Sequence, residues 1–321
     1  MRIPALFLAL VIVGPALAQD PAAGYPGKSI RIFGQGTGST ADYLSRYIAQ
    51  KLTERWGQPV IVDSRAGAGG TIPTDVVAKS APDGYNLVMG HIGPMVSAVT
   101  LYAKNLPYDP VRDFEPVTMV GQGVVVLVVQ PAMPVASALE FVAYAKQKGD
   151  LTYSSAGNGS TSHLTGELLK RITGIPLQHI PYKSAGNALT AMLTGEVQVS
   201  FLSPLTAHAQ LKAGKVKALA VSSAARFAGS PDIPSAAEAG IPGMDVRLWF
   251  GLFAPAKTPK PVVAKLNREI GDILRARETQ ETFLKQGVAA APGTPEELGD
   301  WVKGELARWT PVIQAAGIRA D

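Results

Sequence analysis

Two stretches of small polar residues carry the groups best suited to chemistry in this chain. One is Ser154-Ser155-Ala156-Gly157-Asn158-Gly159-Ser160-Thr161-Ser162-His163. The other lies far upstream, at Gly34-Gln35-Gly36-Thr37-Gly38-Ser39-Thr40. Each follows a short strand-like run and leads into a helical pattern. The first N–H groups of a helix have no intrahelical acceptor, and the macrodipole favours negative charge beside them. Glycines let the backbone approach a ligand closely, and serine and threonine add hydroxyl donors. The candidate ligand contacts are therefore Gln35, Gly36, Thr37, Gly38 and Ser39 in the first loop. In the second they are Ser155, Gly157, Asn158, Gly159, Ser160, Ser162 and His163. Two such loops, one per domain, suit one carboxylate held between them. Both also read as ordinary strand-to-helix turns with N-caps.

Three more residues join the set. His91, in Gly90-His91-Ile92-Gly93, is a ring donor within a glycine loop. Tyr182 precedes the helix that Ser184 caps, and Ser203 follows the strand pattern Val197–Leu202. Asp42, two residues into the first helix, suits the helix dipole better than catalysis.

Several chemistries lack their residues. Gly34-x-Gly36-x-Gly38, with Asp63 ending the next strand, has its last glycine out of place for a dinucleotide fingerprint. No G-x-x-x-x-G-K-[ST] loop and no G-x-S-x-G elbow occur. The histidines, His91, His163, His179 and His208, show no paired metal spacing. No nucleophile–base pair can be named, so no catalytic residue, metal or cofactor is expected.

The elements that must position these loops alternate between two periods. Ile30–Phe33, Val60–Val62 and Asn86–Met89 read as strands, separated by helices at Ala41–Arg55 and near Thr74–Lys79. A second unit has strands at Val124–Val129, Leu151–Ser154, Gln178–Ile180, Val197–Leu202 and Lys217–Val221. Its helices are 137–148, 162–173, 184–193 and 206–213. Trp249–Phe253 is one further strand, and the remainder is helical. Alternation of this kind implies sheets with parallel strands and helices on both faces, and ligands bind beyond the strands' carboxyl ends. Short crossings near Val117–Gly123 and Arg247–Trp249 would join the units, with a cleft between them. Ser137-x-x-Glu140 and Ser235-x-x-Glu238 read as capping boxes.

Residues 1–18 read as a secretory signal, with Arg2, an apolar core Ala5–Val13, and cleavage after Ala16-Leu17-Ala18. That core is short of the roughly 20 residues a bilayer span needs. The mature chain of about 300 residues exceeds what one core usually serves, so two domains are expected. It has no cysteine, hence no disulfide, which suits a soluble periplasmic protein held together by its cores. Removing Arg2 leaves 29 basic against 25 acidic residues, scattered along the chain. Nothing there favours nucleic acid.

The chain resembles the periplasmic substrate-binding proteins of tripartite tricarboxylate transporters, the Bug or TctC family. The phrases that carry the resemblance run along nearly all of the mature chain. They are Tyr25-Pro26-x-Lys28-x-Ile30-Arg31, Arg65-x-Gly67-Ala68-Gly69-Gly70, Ala81-Pro82-Asp83-Gly84-Tyr85 and Leu106-Pro107-Tyr108-Asp109-Pro110. Further on come Ser154-Ser155-x-Gly157-Asn158-Gly159-Ser160, Pro181-Tyr182-Lys183, Glu238-Ala239-Gly240-Ile241-Pro242-Gly243 and Trp249-Phe250-Gly251-Leu252-x-Ala254-Pro255. The resemblance implies an α/β, two-lobed periplasmic-binding-protein type II (Venus flytrap) fold, two doubly wound mixed sheets joined by two crossover segments. Lobe 1 would be 19–123 plus 247–321, and lobe 2 would be 124–246. It implies a monomeric, non-enzymatic solute-binding protein that captures a mono-, di- or tricarboxylate, aromatic acids included. Its partners would be membrane transporter subunits or a sensor. The alternatives are a ligand-sensing protein that signals to a membrane partner and, less favoured, a periplasmic enzyme. The family's first loop usually reads P-F-x-P-G-G-x-T-D. Here Gly34–Asp42 lacks the prolines and is one residue shorter, with Gln35 in an apolar position. A more flexible loop and a different ligand from the usual small dicarboxylates are expected from that departure.

Overall fold

A computed structural model describes residues 22–34, 36, 39–65 and 68–319. The signal-like segment 1–18 lies outside them, as do Gln35, Thr37 and Gly38 of the first loop.

The elements in chain order are β1 (Ile30–Gly34), α1 (Thr40–Trp56), β2 (Val60–Ser64), α2 (Thr71–Ala78), β3 (Asn86–Gly90), α3 (Ala98–Leu101), β4 (Phe114–Val124) and β5 (Val126–Val129). There follow α4 (Ala138–Lys148), β6 (Leu151–Ser155), α5 (Thr161–Thr173), β7 (Leu177–Pro181), α6 (Ala185–Thr194), β8 (Val199–Leu202), α7 (Pro204–Lys212) and β9 (Lys217–Val221). The chain closes with β10 (Arg247–Pro255), α8 (Lys260–Arg275), α9 (Arg277–Lys285), β11 (Val288–Ala290) and α10 (Pro295–Ala315). They build two mixed sheets, ordered β11-β4-β10-β3-β1-β2 and β7-β6-β8-β5-β9.

Strand direction decides where the loops go. β1, β2 and β3 are parallel, and β4 runs with them because β10 is antiparallel to both β3 and β4. β4 leaves the first sheet at its carboxyl edge and continues as β5 in the second. β8 and β9 are antiparallel to β5, while β6 is parallel to β7 and β8. The strands β6 to β9 therefore run back toward the first sheet. Loops after β1, β2 and β3 and loops after β6, β7 and β8 open on the same gap, where ligands of such sheets bind.

Both faces of each sheet are covered. Leu44, Ile48 and Leu52, one stripe of α1, are fully buried with Ile30 and Ile32 of β1. Phe141 of α4 and Leu169 of α5 do the same on the second sheet. Each such side chain contributes about 1.5–3 kcal/mol by leaving water.

The crossings differ from the sequence expectation. Val117–Gly123 is the middle of β4, paired with β10 on one side and, from Gly121, with β11 on the other. A Cβ on Gly121 would lie 2.5 Å from Val288 Cγ1, so glycine lets β11 approach. Val124, expected to open the second unit, pairs with Arg247 at the end of the first sheet. The crossing itself is Val125. The returning chain passes beside it at Val246, and Ser222, just past β9, ties the two. Its N–H donates to Val125 O at 2.8 Å, and its C=O accepts from Val246 N–H at 2.8 Å. Its Oγ accepts from Val125 N–H at 3.0 Å and donates to Val246 O at 2.6 Å.

Ser235-x-x-Glu238 makes both bonds of a capping box, at 3.2 and 2.8 Å, yet opens a turn and no helix. Gly240, at φ 82°, ends it.

Candidate functional site

Between β6 and α5, residues 156–160 reverse the chain. Gly157 and Gly159 take φ of 112° and 72°, where side chains are disfavoured. The loop is bonded to itself. Ser160 caps α5 by accepting from His163 N–H at 3.3 Å, and Ser162 Oγ accepts from Ala156 N–H at 3.1 Å. Gly157 N–H donates to Ser155 Oγ at 3.1 Å, and Gly159 N–H to His163 Nδ1 at 3.2 Å. The glycine amides expected to meet a ligand thus have acceptors inside the loop. What α5 presents instead are the first-turn N–H groups of Thr161 and Ser162, which have no intrahelical acceptor. Asn158, between the glycines, is half-buried.

His163 lies behind the loop rather than in front of it. Its ring is buried, with Nε2 4.0 Å from Glu167 Oε1. Glu167 also accepts from Tyr153 OH and from Lys170 Nζ, both at 2.8 Å. His179 of β7 stacks on His163 with ring centroids 3.6 Å apart and 16° between planes. Its Nε2 is 2.6 Å from Ser155 Oγ. Burial, with a smaller push from Lys170, lowers the His163 pKa to about 4. Burial, then His163 itself, lowers that of His179 to about 3.

Ser155 and His179 have the composition of a nucleophile and base, a pair the sequence did not reveal. Their surroundings deny that role. Ser155 is 1% exposed, and a base of so low a pKa would not draw a proton from serine.

Across the gap, Ser39 caps α1 by accepting from Asp42 N–H at 3.1 Å. Asp42 is buried, accepts from Arg46 Nε at 3.0 Å, and takes a short bond from Ser64 Oγ at the end of β2. It therefore anchors the helix start to the neighbouring strand, the structural role its position suggested. Gly36 sits at φ 26°, and its carbonyl accepts from Ser39 N–H at 3.4 Å. Arg46 and Arg65, the guanidiniums of this corner, are each paired with a carboxylate, Asp42 and Asp63 at 3.0 and 2.8 Å. N–H and O–H dipoles, not an unpaired cation, are what these groups offer an anion. α2 starts here as well, behind Gly70 at φ 95° and with no side-chain cap.

His91 follows β3. Its Nδ1 accepts from Gly93 N–H at 3.1 Å, which places the ring proton on Nε2. That Nε2 is buried and has no partner among the described residues. Burial lowers its pKa to about 4, so it is a neutral donor at neutral pH. The chain then makes a wide helical turn, Gly93–Ser97. Ser97 Oγ donates to Gly159 O at 2.7 Å, joining the first sheet's loops to the second's. Leu101 packs on the same glycine, where a Cβ would meet Leu101 Cδ1 at 2.5 Å.

Tyr182 and Ser203 serve their own lobe. Tyr182 N–H donates to Ser155 O at 3.0 Å, and its hydroxyl donates to Glu196 at 2.7 Å. Burial, with Glu196, raises that hydroxyl's pKa to about 12. Ser203 caps α7 by accepting from Thr206 N–H at 3.4 Å. The sequence reading missed Ser97, which sits in an apolar run. It also missed His179, a lone histidine on the strand next to β6, and Glu167 beneath the stack.

Comparison with known proteins bears on the family and the fold. Residues 44–318 match the model of the tripartite tricarboxylate transporter family receptor, TctC. The chain belongs to the TctC family. A solved R. palustris protein, Rpa4515 with adipate, is 32% identical, with TM-score 0.86, covering 92% of this chain and 99% of that one. A periplasmic transporter structure is 32% identical, with TM-score 0.85, covering 92% and 100%. MatC (Rpa3494) from Rhodopseudomonas palustris, with bound malate, is 33% identical, with TM-score 0.81, covering 90% and 100%. This TctC receptor therefore has the two-lobed type II binding-protein fold and is a periplasmic solute-binding protein, not an enzyme.

Proposed function

We propose that, in spite of its shortened first loop, this receptor closes its lobes, 19–123 with 247–321 and 124–246, on a small dicarboxylate like those of its relatives, and delivers it to transporter subunits in the membrane. The Ser97–Gly159 hydrogen bond carries this reading, because it brings the loops of the two sheets together over the gap. One carboxylate sits at the start of α5, against the N–H groups of Thr161 and Ser162 and the hydroxyls of Ser160 and Ser162. The other end of the ligand meets the start of α1, with Gln35–Ser39, and the neutral Nε2–H of His91. Adipate and malate, held by relatives about one-third identical, set the expected length. Residues 1–18 direct export and are removed after Ala18. A ligand that bridges both lobes favours the closed form by its contacts with each, and that difference drives closure.

The test is a thermal-shift screen of the mature protein with mono-, di- and tricarboxylates. A dicarboxylate at about 100 times its dissociation constant should add roughly 2.7 kcal/mol. Scattering of that complex should show compaction. Saturation with unchanged dimensions would exclude ligand-driven closure.

A further inference from the structure

We propose that His163 and His179 form a two-armed clamp that positions the Ser155–Ser160 loop, and that the clamp holds only while the His163 ring is uncharged. That this loop takes the ligand is the reading above; the clamp is tested without a ligand.

One arm is His163 Nδ1, which accepts the Gly159 N–H at 3.2 Å. The other is His179 Nε2, 2.6 Å from the Ser155 hydroxyl that itself accepts the Gly157 N–H. The two arms thus fix both glycines of the turn, and the ring stack joins them back to back. Because Nδ1 of His163 is an acceptor, its proton sits on Nε2, toward Glu167. A second proton would have to go on Nδ1. There it would face the Gly159 N–H, donor against donor, and the bond would be lost.

The surroundings do not welcome that proton. The charged and titratable groups around the pair are Glu167 and Lys170 of α5 and Tyr153 of β6. The Glu167 carboxylate is already shared between Lys170 Nζ and Tyr153 OH. Tyr153 packs its ring 4.9 Å from His179. A charge on either ring would lie against the face of its partner at 3.6 Å, and two would repel. The low pKa of both rings, set mainly by burial, agrees with this geometry. Gly159 also accepts the Ser97 hydroxyl, so letting this glycine go loosens the bond between the sheets as well.

The clamp predicts how the loop opens with pH. Opening exposes the rings to water, where an imidazole titrates near 6.5. Residue-resolved hydrogen exchange on the ligand-free mature protein, corrected for intrinsic rates, should show Gly157 and Gly159 losing protection as pH falls from about 6.5 toward 4. The expected slope is about tenfold per unit for each proton taken up on opening. His163→Asn puts a non-titrating acceptor near the Nδ1 position. It should keep protection at pH 7 and flatten the slope, while His163→Ala should lose at least about tenfold at pH 7. Wild-type protection in His163→Ala, or a slope undiminished from wild type in both His163→Asn and His179→Gln, would overturn the clamp. Adipate and malate affinities at pH 7 separate the two readings. Weakening in His163→Ala with recovery in His163→Asn ties the clamp to ligand capture. Loss of loop protection with unaltered affinity leaves the clamp standing and removes the ligand from this loop.

Discussion

The two helix starts that face each other across the gap are held by opposite means. At α1 the holding group is charged: Asp42, 3% exposed, bridges Arg46 and Ser64 and so fixes the helix to β2. At α5 it is neutral: two stacked imidazoles hold Gly159 directly and Gly157 through Ser155. Both present first-turn N–H groups that lack intrahelical acceptors, and among the described residues the guanidiniums beside α1 are paired with carboxylates. The difference lies in what disturbs them. The ordinary pKa values of Asp and Arg lie outside pH 4 to 6.5, whereas that of imidazole lies at its upper edge. The anchoring of α1 should therefore be indifferent to mild acid and that of α5 sensitive to it.

The most damaging change should be at the point where the halves touch. Gly159→Leu places a side chain at φ 72° and drives it into Leu101 and Ser97. Left-handed strain and overpacking together should cost about 3 kcal/mol or more, roughly a hundredfold or greater loss of dicarboxylate affinity by calorimetry. Scattering should show the lobes no longer closing. Wild-type affinity in this variant would mean that the Ser97–Gly159 contact is not part of the bound form.

Next comes acid against mutation. The folded pKa values of His91, His163 and His179 lie below 6.5, so the unfolded chain takes up protons first as pH falls. Stability is then lost between about pH 6.5 and 4, at up to about 1.4 kcal/mol per unit for each histidine. Asp42→Asn should instead lower stability by about 1–2 kcal/mol, equally at pH 7 and pH 5, in denaturant melts. Equal pH dependence after replacing His163 and His179 together would erase the contrast.

The smallest effect should be that of Ser97→Ala. It removes one neutral hydrogen bond between the sheets, worth about 1 kcal/mol, or about fivefold in affinity, with little change in melting temperature. A large fall in melting temperature would show Ser97 to be a fold residue.

Much of the architecture was legible because period and punctuation coincide. Ser137, read as a capping residue, caps α4, which begins at Ala138. Lys217–Val221, apolar and bounded by turn residues, is β9 as read. β4 was not legible as a strand, since Glu115-Pro116 and the spaced glycines Gly121 and Gly123 look like a linker. Its pairing comes from β10 and β11, both distant in sequence. The loops of the site were found from their glycines and hydroxyls. Their internal wiring was not, because Ser97 lies 62 residues and His179 24 residues from their partners. Local pattern holds no record of contacts at such separations.

Ser222 has one more consequence. Ser222 bonds to both passages between the sheets, Val125 and Val246, on its backbone and side chain alike, beside the Val124–Arg247 pair. A joint tied this closely resists sliding, so movement of the lobes is expected as a swing about it. The width of the bite then follows from the swing angle alone. Under the closure proposed above, a longer diacid would hold the jaws further apart than a shorter one.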